Sequence, residues 1–145
     1  MSRGYPDFSG AIAFPVRKHF KGVDPLVTPI ATLATETEYL ISTQAVIDGG
    51  YVLLQSISDV YFVSLTLTID GNILGTYSLE TLYLYRLGKE ATFPFTLLYL
   101  DRDLFTAIVG FLPGFYCGTE YKLDIFNGAV NDLNVIGRLA YSDVT

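Results

Sequence analysis

Between Tyr61 and Ile69 the chain alternates. Tyr61, Val63, Leu65, Leu67 and Ile69 fall on one face, and Phe62, Ser64, Thr66 and Thr68 on the other. A two-residue period of this kind predicts a half-buried β-strand with a threonine-rich side turned to water or to a partner. Apolar runs of similar length predict further strands over residues 39–45, 51–57, 73–74, 95–100, 104–112, 119–126 and 135–141. Turn formers separate them: Asp48-Gly49-Gly50, Asp70-Gly71-Asn72, Asp101-Arg102-Asp103, Pro113-Gly114 and Asn127-Gly128, where glycine supplies positive φ and Asp or Asn bonds to nearby backbone. Seven or eight short strands at intervals of roughly 10 residues predict an all-β antiparallel β-sandwich or jelly-roll-like domain.

Two segments break the alternation. Over residues 78–87 Ser78 can cap free backbone donors, Glu80 suits the first turn, and Leu79, Leu82, Tyr83 and Leu87 share a face before Gly88, so one short helix is expected. A strand is the competing reading there, because Leu82 and Leu84 also alternate with Tyr83 and Tyr85. Residues 1–35 contain Pro6, Pro15, Pro25 and Pro29, each removing a backbone donor and favouring extended geometry in the residue before it. They also carry Tyr5, Phe8, Phe14 and Phe20, too many aromatics for a solvated linker. The expectation is an extended N-terminal arm over 1–35 that docks on its own domain or on a neighbour, followed by a sandwich domain over 36–145.

Composition adds two points. Half the residues are hydrophobic, 17% are charged, and mean hydropathy is +0.38, so the surface is expected to be partly covered by other subunits. The net charge of −6 argues against a nucleic-acid partner, since binding there depends on neutralising phosphates. Charge is unevenly spread: Arg3, Arg17, Lys18 and Lys21 outnumber Asp7 in the opening segment, whereas acidic side chains dominate the remainder. Tyr5, Phe8, Phe14, Arg17, Lys18, Phe20 and Lys21 are therefore the expected subunit-interface residues, basic and apolar against an acidic body. No apolar run reaches the length of a membrane span, and the first residues lack a signal-peptide pattern. Neither a membrane partner nor export is expected, and assembly is placed in a cytoplasm.

Candidate chemistry is sparse. His19 is the single histidine and lies between Lys18 and Phe20 without a nucleophile motif beside it; an arm contact is the plainer reading. Cys117 is the single cysteine, which excludes an intrachain disulfide and a cysteine-based zinc site and reads as a small buried hydrophobe. Asp101 with Asp103, and Asp70 with Asn72, resemble the opening of a calcium loop but lack the rest of the twelve-residue pattern and read as turn residues. Nothing singles out a pair of carboxylates for glycoside hydrolysis, and Gly110, Gly114 and Gly118 surround Pro113 in no phosphate-loop pattern. No catalytic residue, cofactor or metal site is expected. Eleven tyrosines leave open a receptor- or carbohydrate-binding adhesion module, with tyrosines near the loops at 48–50, 70–72 or 101–103, although tryptophan is absent.

The Gly4-Tyr5-Pro6-Asp7-Phe8 opening, the two-sided β domain containing Ile69-Asp70-Gly71, the Ser78-Leu79-Glu80-Thr81-Leu82-Tyr83 segment, and Phe126-Asn127-Gly128 before Val135-Ile136-Gly137-Arg138-Leu139-Ala140-Tyr141 together resemble small virion proteins of tailed bacteriophages. The resemblance implies a capsid-decoration or tail-associated protein located in the virion. It further implies a β-sandwich homo-oligomer, a trimer in the first instance, tied by its arm to other capsid or tail proteins, and it carries no catalytic residues.

Overall fold

The computed structural model describes residues 17–88 and 94–144, with backbone alone at 17–19 and 85–88. Alternation translates directly into two facing antiparallel sheets. Strands β1 (Arg17–Val23), β3 (Ala45–Gln55), β6 (Phe95–Asp101), β7 (Thr106–Phe111), β8 (Tyr116–Cys117) and β10 (Asn134–Val144) form the larger sheet, and β2 (Thr35–Ile41), β4 (Ser64–Ile69), β5 (Asn72–Ser78) and β9 (Tyr121–Phe126) the smaller. The larger sheet runs β1-β10-β3-β7-β6, with β8 also pairing β3; the smaller runs β2-β9-β4-β5. This is the expected all-β sandwich.

The core lies between the sheets. Leu65, Leu67, Leu123 and Ile125 from the smaller sheet face Val52, Leu54, Ala107 and Val109 from the larger, all of them fully buried. Tyr77, Phe95, Phe111 and Tyr39 form an edge-to-face chain that crosses from one sheet to the other and back, with neighbouring ring centroids 5.3–6.1 Å apart, the offset geometry aromatic quadrupoles prefer. Helix α1 (Leu79–Gly88) contacts both β5 and β6, closing one open side of the sandwich with Leu79 and Leu82. Its cap is the expected one, since Ser78 Oγ accepts the Thr81 amide at 3.0 Å.

Three expectations are corrected, and the described part of the arm takes one of its two expected placements. Asp48-Gly49-Gly50 is not a turn, because β3 runs straight through it. The extra residue there makes a β-bulge opposite Ala140 and Tyr141, and Gly50, at φ +133°, lies where a Cβ would strike the Arg138 carbonyl. Glycine thus serves close strand approach here and not chain reversal. Residues 17–34 dock on the chain's own sandwich, one of the two placements expected for the arm. β1 pairs antiparallel with β10, Ile30 is fully buried and exchanges backbone hydrogen bonds with Leu133, and residues 24–34 cross the second open side between β1 and β2. Tyr61 and Phe62 precede their strand in a turn closed by Val63 N–H donating to the Val60 carbonyl. Finally, β2 spans Thr35–Ile41, so residues 42–44 form a connection where a strand was expected.

The Asp70-Gly71 turn behaves as predicted: both residues have positive φ, 51° and 81°, and Ile69 pairs with Asn72 across it. Right-handed strand twist favours such a two-residue turn.

Candidate functional site

Register fixes what each sheet shows to its surroundings. On the outer face of the larger sheet Ile136, Leu53, Ile108 and Tyr99 stand side by side across β10, β3, β7 and β6. Next to that row lie Tyr51 and Leu98, the latter a bulge residue whose side chain covers Gly110. Ile136, Leu98 and Tyr51 are 56%, 54% and 49% exposed. The outer face of the smaller sheet is richer in hydroxyls. Its rows carry Thr35, Thr37, Ser64, Thr66, Thr68, Thr76 and Ser78 around Lys122 and Asp124, with Phe126, Leu40 and Ile73 in the same rows. Thr37 donates to Asp124 at 2.6 Å, and Thr66 and Thr76 are joined at 2.9 Å. The strand positions that read as threonine-rich in the sequence therefore gather on one mixed, hydroxyl-rich face, whereas the apolar row on the opposite face comes from strands distant in the chain.

A cleft of about 680 Å³ opens where the end of β3 meets residues 29–32 and the 130–134 loop. The carboxamides of Gln55, Asn131 and Asn134 line it together with Asp132, Thr32 and Ser56. Pro29, Ile57 and Val130 complete the wall. Beneath it Asn127 is fully buried; its Nδ2 donates to the Ile30 and Asn131 carbonyls at 3.0 and 2.9 Å, and its Oδ1 accepts the Ala129 amide at 2.9 Å. Ser56 Oγ donates to the Asp132 carbonyl at 2.8 Å, and Thr32 Oγ1 to the Ala129 carbonyl at 2.5 Å. The Asn127-Gly128 pair was legible as a turn; that Asn127 organises a cleft wall was not, since its partners are set by the fold.

The acidic turns resolve into structural roles. Asp70 accepts the amides of Gly118, Thr119 and Glu120 at 2.8–2.9 Å and the Thr119 hydroxyl at 3.0 Å. The Glu120, Gly118 and Thr119 amides hold its carboxyl well below the usual range. Asp101 accepts the amides of Asp103 and Leu104 at 2.9 and 3.0 Å, which lower its pKa. Arg102, between them, reaches Asp59 through both Nε and Nη2 and stacks its guanidinium 4.0 Å from the Tyr61 ring centroid. No group of three or more His, Cys, Asp or Glu side chains converges among the described residues. Cys117 is fully buried, and burial pushes its thiol up.

One group stands apart. Glu38 is fully buried in the β2 bulge, and neither carboxylate oxygen has a hydrogen-bond partner. Burial pushes its carboxyl up to about 7; the nearby Val27 amide opposes the shift without completing a hydrogen bond of good geometry, and Glu36 adds to it.

Of the expected interface residues, Tyr5, Phe8 and Phe14 lie outside the described residues. Arg17 and Lys18 take their places on β1 by backbone alone. Phe20 is 75% exposed, opposite Ser142. Lys21 forms an ion pair with Asp143 at 2.6 Å. The loops expected to present tyrosines do so in part: Tyr51 follows Gly50 inside a strand, and Tyr99 donates to Asp101 at 3.2 Å. Neither adjoins the cleft. No protein-family model and no curated protein matches this chain.

Proposed function

We propose that the chain is a structural or accessory virion protein of a tailed bacteriophage, a capsid-decoration or tail-associated subunit that forms a homo-oligomer through the outer surface of its sandwich and its N-terminal segment. The observation that carries this reading is the apolar row across the outer face of the larger sheet, Ile136, Leu53, Ile108 and Tyr99, with Leu98 and Tyr51 beside it. A sheet exposed to water on one side ordinarily alternates apolar-in and polar-out, and the flanking positions Gln55, Asn134, Thr106 and Asp101 on one side and Arg138 and Thr96 on the other follow that rule. The central row is apolar on both sides of the sheet, and such a strip is stabilised by a second protein surface laid against it. Exposed Phe20 on the β1 edge strand extends the same face toward the N-terminal segment. The resemblance to small virion proteins supplies the particle; the face supplies the means of assembly.

The solution mass tests it. Sedimentation or light scattering of the full chain is expected to give a whole multiple of the 16.0 kDa chain mass. Leu98→Lys combined with Ile136→Lys, both at exposed positions, is expected to shift the mass to one chain without lowering the melting temperature by more than a few degrees. A full chain that stays monomeric to high concentration overturns the proposal.

A further inference from the structure

The cleft at the end of the sandwich adjoins the apolar row, since Gln55 and Asn134 are the outward pair next to Leu53 and Ile136. Its lining residues all belong to one chain, and Leu98, two strands away, separates a test of the face from a test of the cleft. Its chemistry narrows the ligand. Among the described residues no lysine, arginine or histidine lines it, and Asp132 does; a phosphate, sulfate or carboxylate would meet a like charge with none of these cations to offset it. An extended peptide gains most of its affinity by adding a strand to an open sheet edge. Gln55 is already paired on both sides, with Asn134 and with Thr106, so β3 offers no open edge there for a peptide strand.

What remains is a set of neutral donors and acceptors. Each carboxamide of Gln55, Asn131 and Asn134 offers an oxygen acceptor and two N–H donors, and Asp132 offers further acceptors. Paired donors and acceptors of this kind match adjacent hydroxyls on a sugar ring, each of which both gives and takes a hydrogen bond. Ile57 and Val130, 77% and 78% exposed, provide aliphatic surface for the ring's C–H faces. The volume falls within the range of small-molecule sites. The wall is set in advance by Asn127, Ser56 and Thr32, so little ordering entropy is lost when the ligand arrives.

We propose that this cleft binds one neutral hexose unit of a saccharide. With no aromatic side chain among its lining residues, stacking does not contribute, and the affinity expected for a single site is weak, about millimolar. Copies held together in an assembly would raise it by multivalency.

Amide-resolved NMR of the full, isotopically labelled chain tests the assignment. Methyl glycosides of glucose, galactose, mannose and N-acetylglucosamine are each titrated to about 50 mM, which spans the expected weak range. At least one is expected to give saturable shifts confined to residues 55–57 and 130–134. Asn131→Ala and Asp132→Ala are each expected to weaken that binding about tenfold at unchanged melting temperature, and Leu98→Lys to leave it intact. If all four sugars leave those amides unmoved, if the shifts map elsewhere, or if both cleft variants bind as the parent does, the proposal is wrong.

Discussion

At the scale of single residues, the buried carboxyl of Glu38 sets the pH behaviour expected of the fold. An unfolded glutamate titrates at its ordinary value of 4.5, and burial raises the folded one to about 7. Between those values the folded state holds more protons than the unfolded, so this residue's contribution to stability falls as pH rises through that window and stays low above it. The difference corresponds to on the order of 3 kcal/mol at most. Glu38→Gln keeps the shape and removes the charge; it is expected to raise stability at pH 8 by about 1–3 kcal/mol and to change it little at pH 4. Urea unfolding at the two pH values reads this directly, and an equal effect at both would show that the folded and unfolded carboxyls titrate alike, so that burial does not shift Glu38. Asp70 has the opposite sign. Its lowered pKa means that the stability it contributes is present above the unfolded pKa and is lost as pH falls through the folded one. In both cases the residue type was visible in the sequence, but its surroundings were not: Glu38 is closed off by folding, with Val27 and Glu36 beside it, and Asp70 is held by the 118–120 loop.

At the scale of elements, two local signals carried through and one misled. Ser78 followed by Leu79 and Leu82 gave the helix, because capping and a short apolar face act within a few residues. Ser78→Ala is expected to cost about 1 kcal/mol in thermal or chemical denaturation. Asp70-Gly71 gave the hairpin for the same reason of locality. Asp48-Gly49-Gly50 has the same composition as a turn, yet β10 and β7 pair with β3 just beyond it and hold it extended as a bulge. Gly50→Ala puts a methyl against the Arg138 carbonyl at a φ of +133° and is expected to destabilise by about 2 kcal/mol or more, whereas Gly71→Ala, with nothing within 4 Å of its Cβ position, is expected to cost less, about 1 kcal/mol from its positive φ alone. A reversed order of the two would remove the close-approach explanation.

At the scale of the molecule, the position of the N-terminal boundary decides how the assembly reading can be tested. Removing residues 1–35 takes away β1 and the buried Ile30 with its two hydrogen bonds to Leu133, so that truncation is expected to melt far below the full chain or not to fold. A chain starting at Arg17 keeps both. It is expected to retain a cooperative melt and to lose solution mass if the first sixteen residues join subunits; an unchanged mass would place assembly on the sandwich faces alone. Calorimetry and light scattering on the two truncations separate folding from association.

The sequence by itself determined the class of fold, the alternation that buries one face of each strand, the helix with its cap and the Asp70-Gly71 reversal. All of these follow from backbone geometry and burial over a few neighbouring residues. Only the tertiary structure decided that β1 joins the larger sheet, that an apolar row crosses one outer face while threonines gather on the other, that Asn127 braces a cleft and that Glu38 is cut off from water. Those properties depend on which strands become neighbours. Antiparallel pairing between segments as far apart as Arg17 and Val144 is set by the sum of many side-chain contacts across the sheets, which no short stretch of chain encodes.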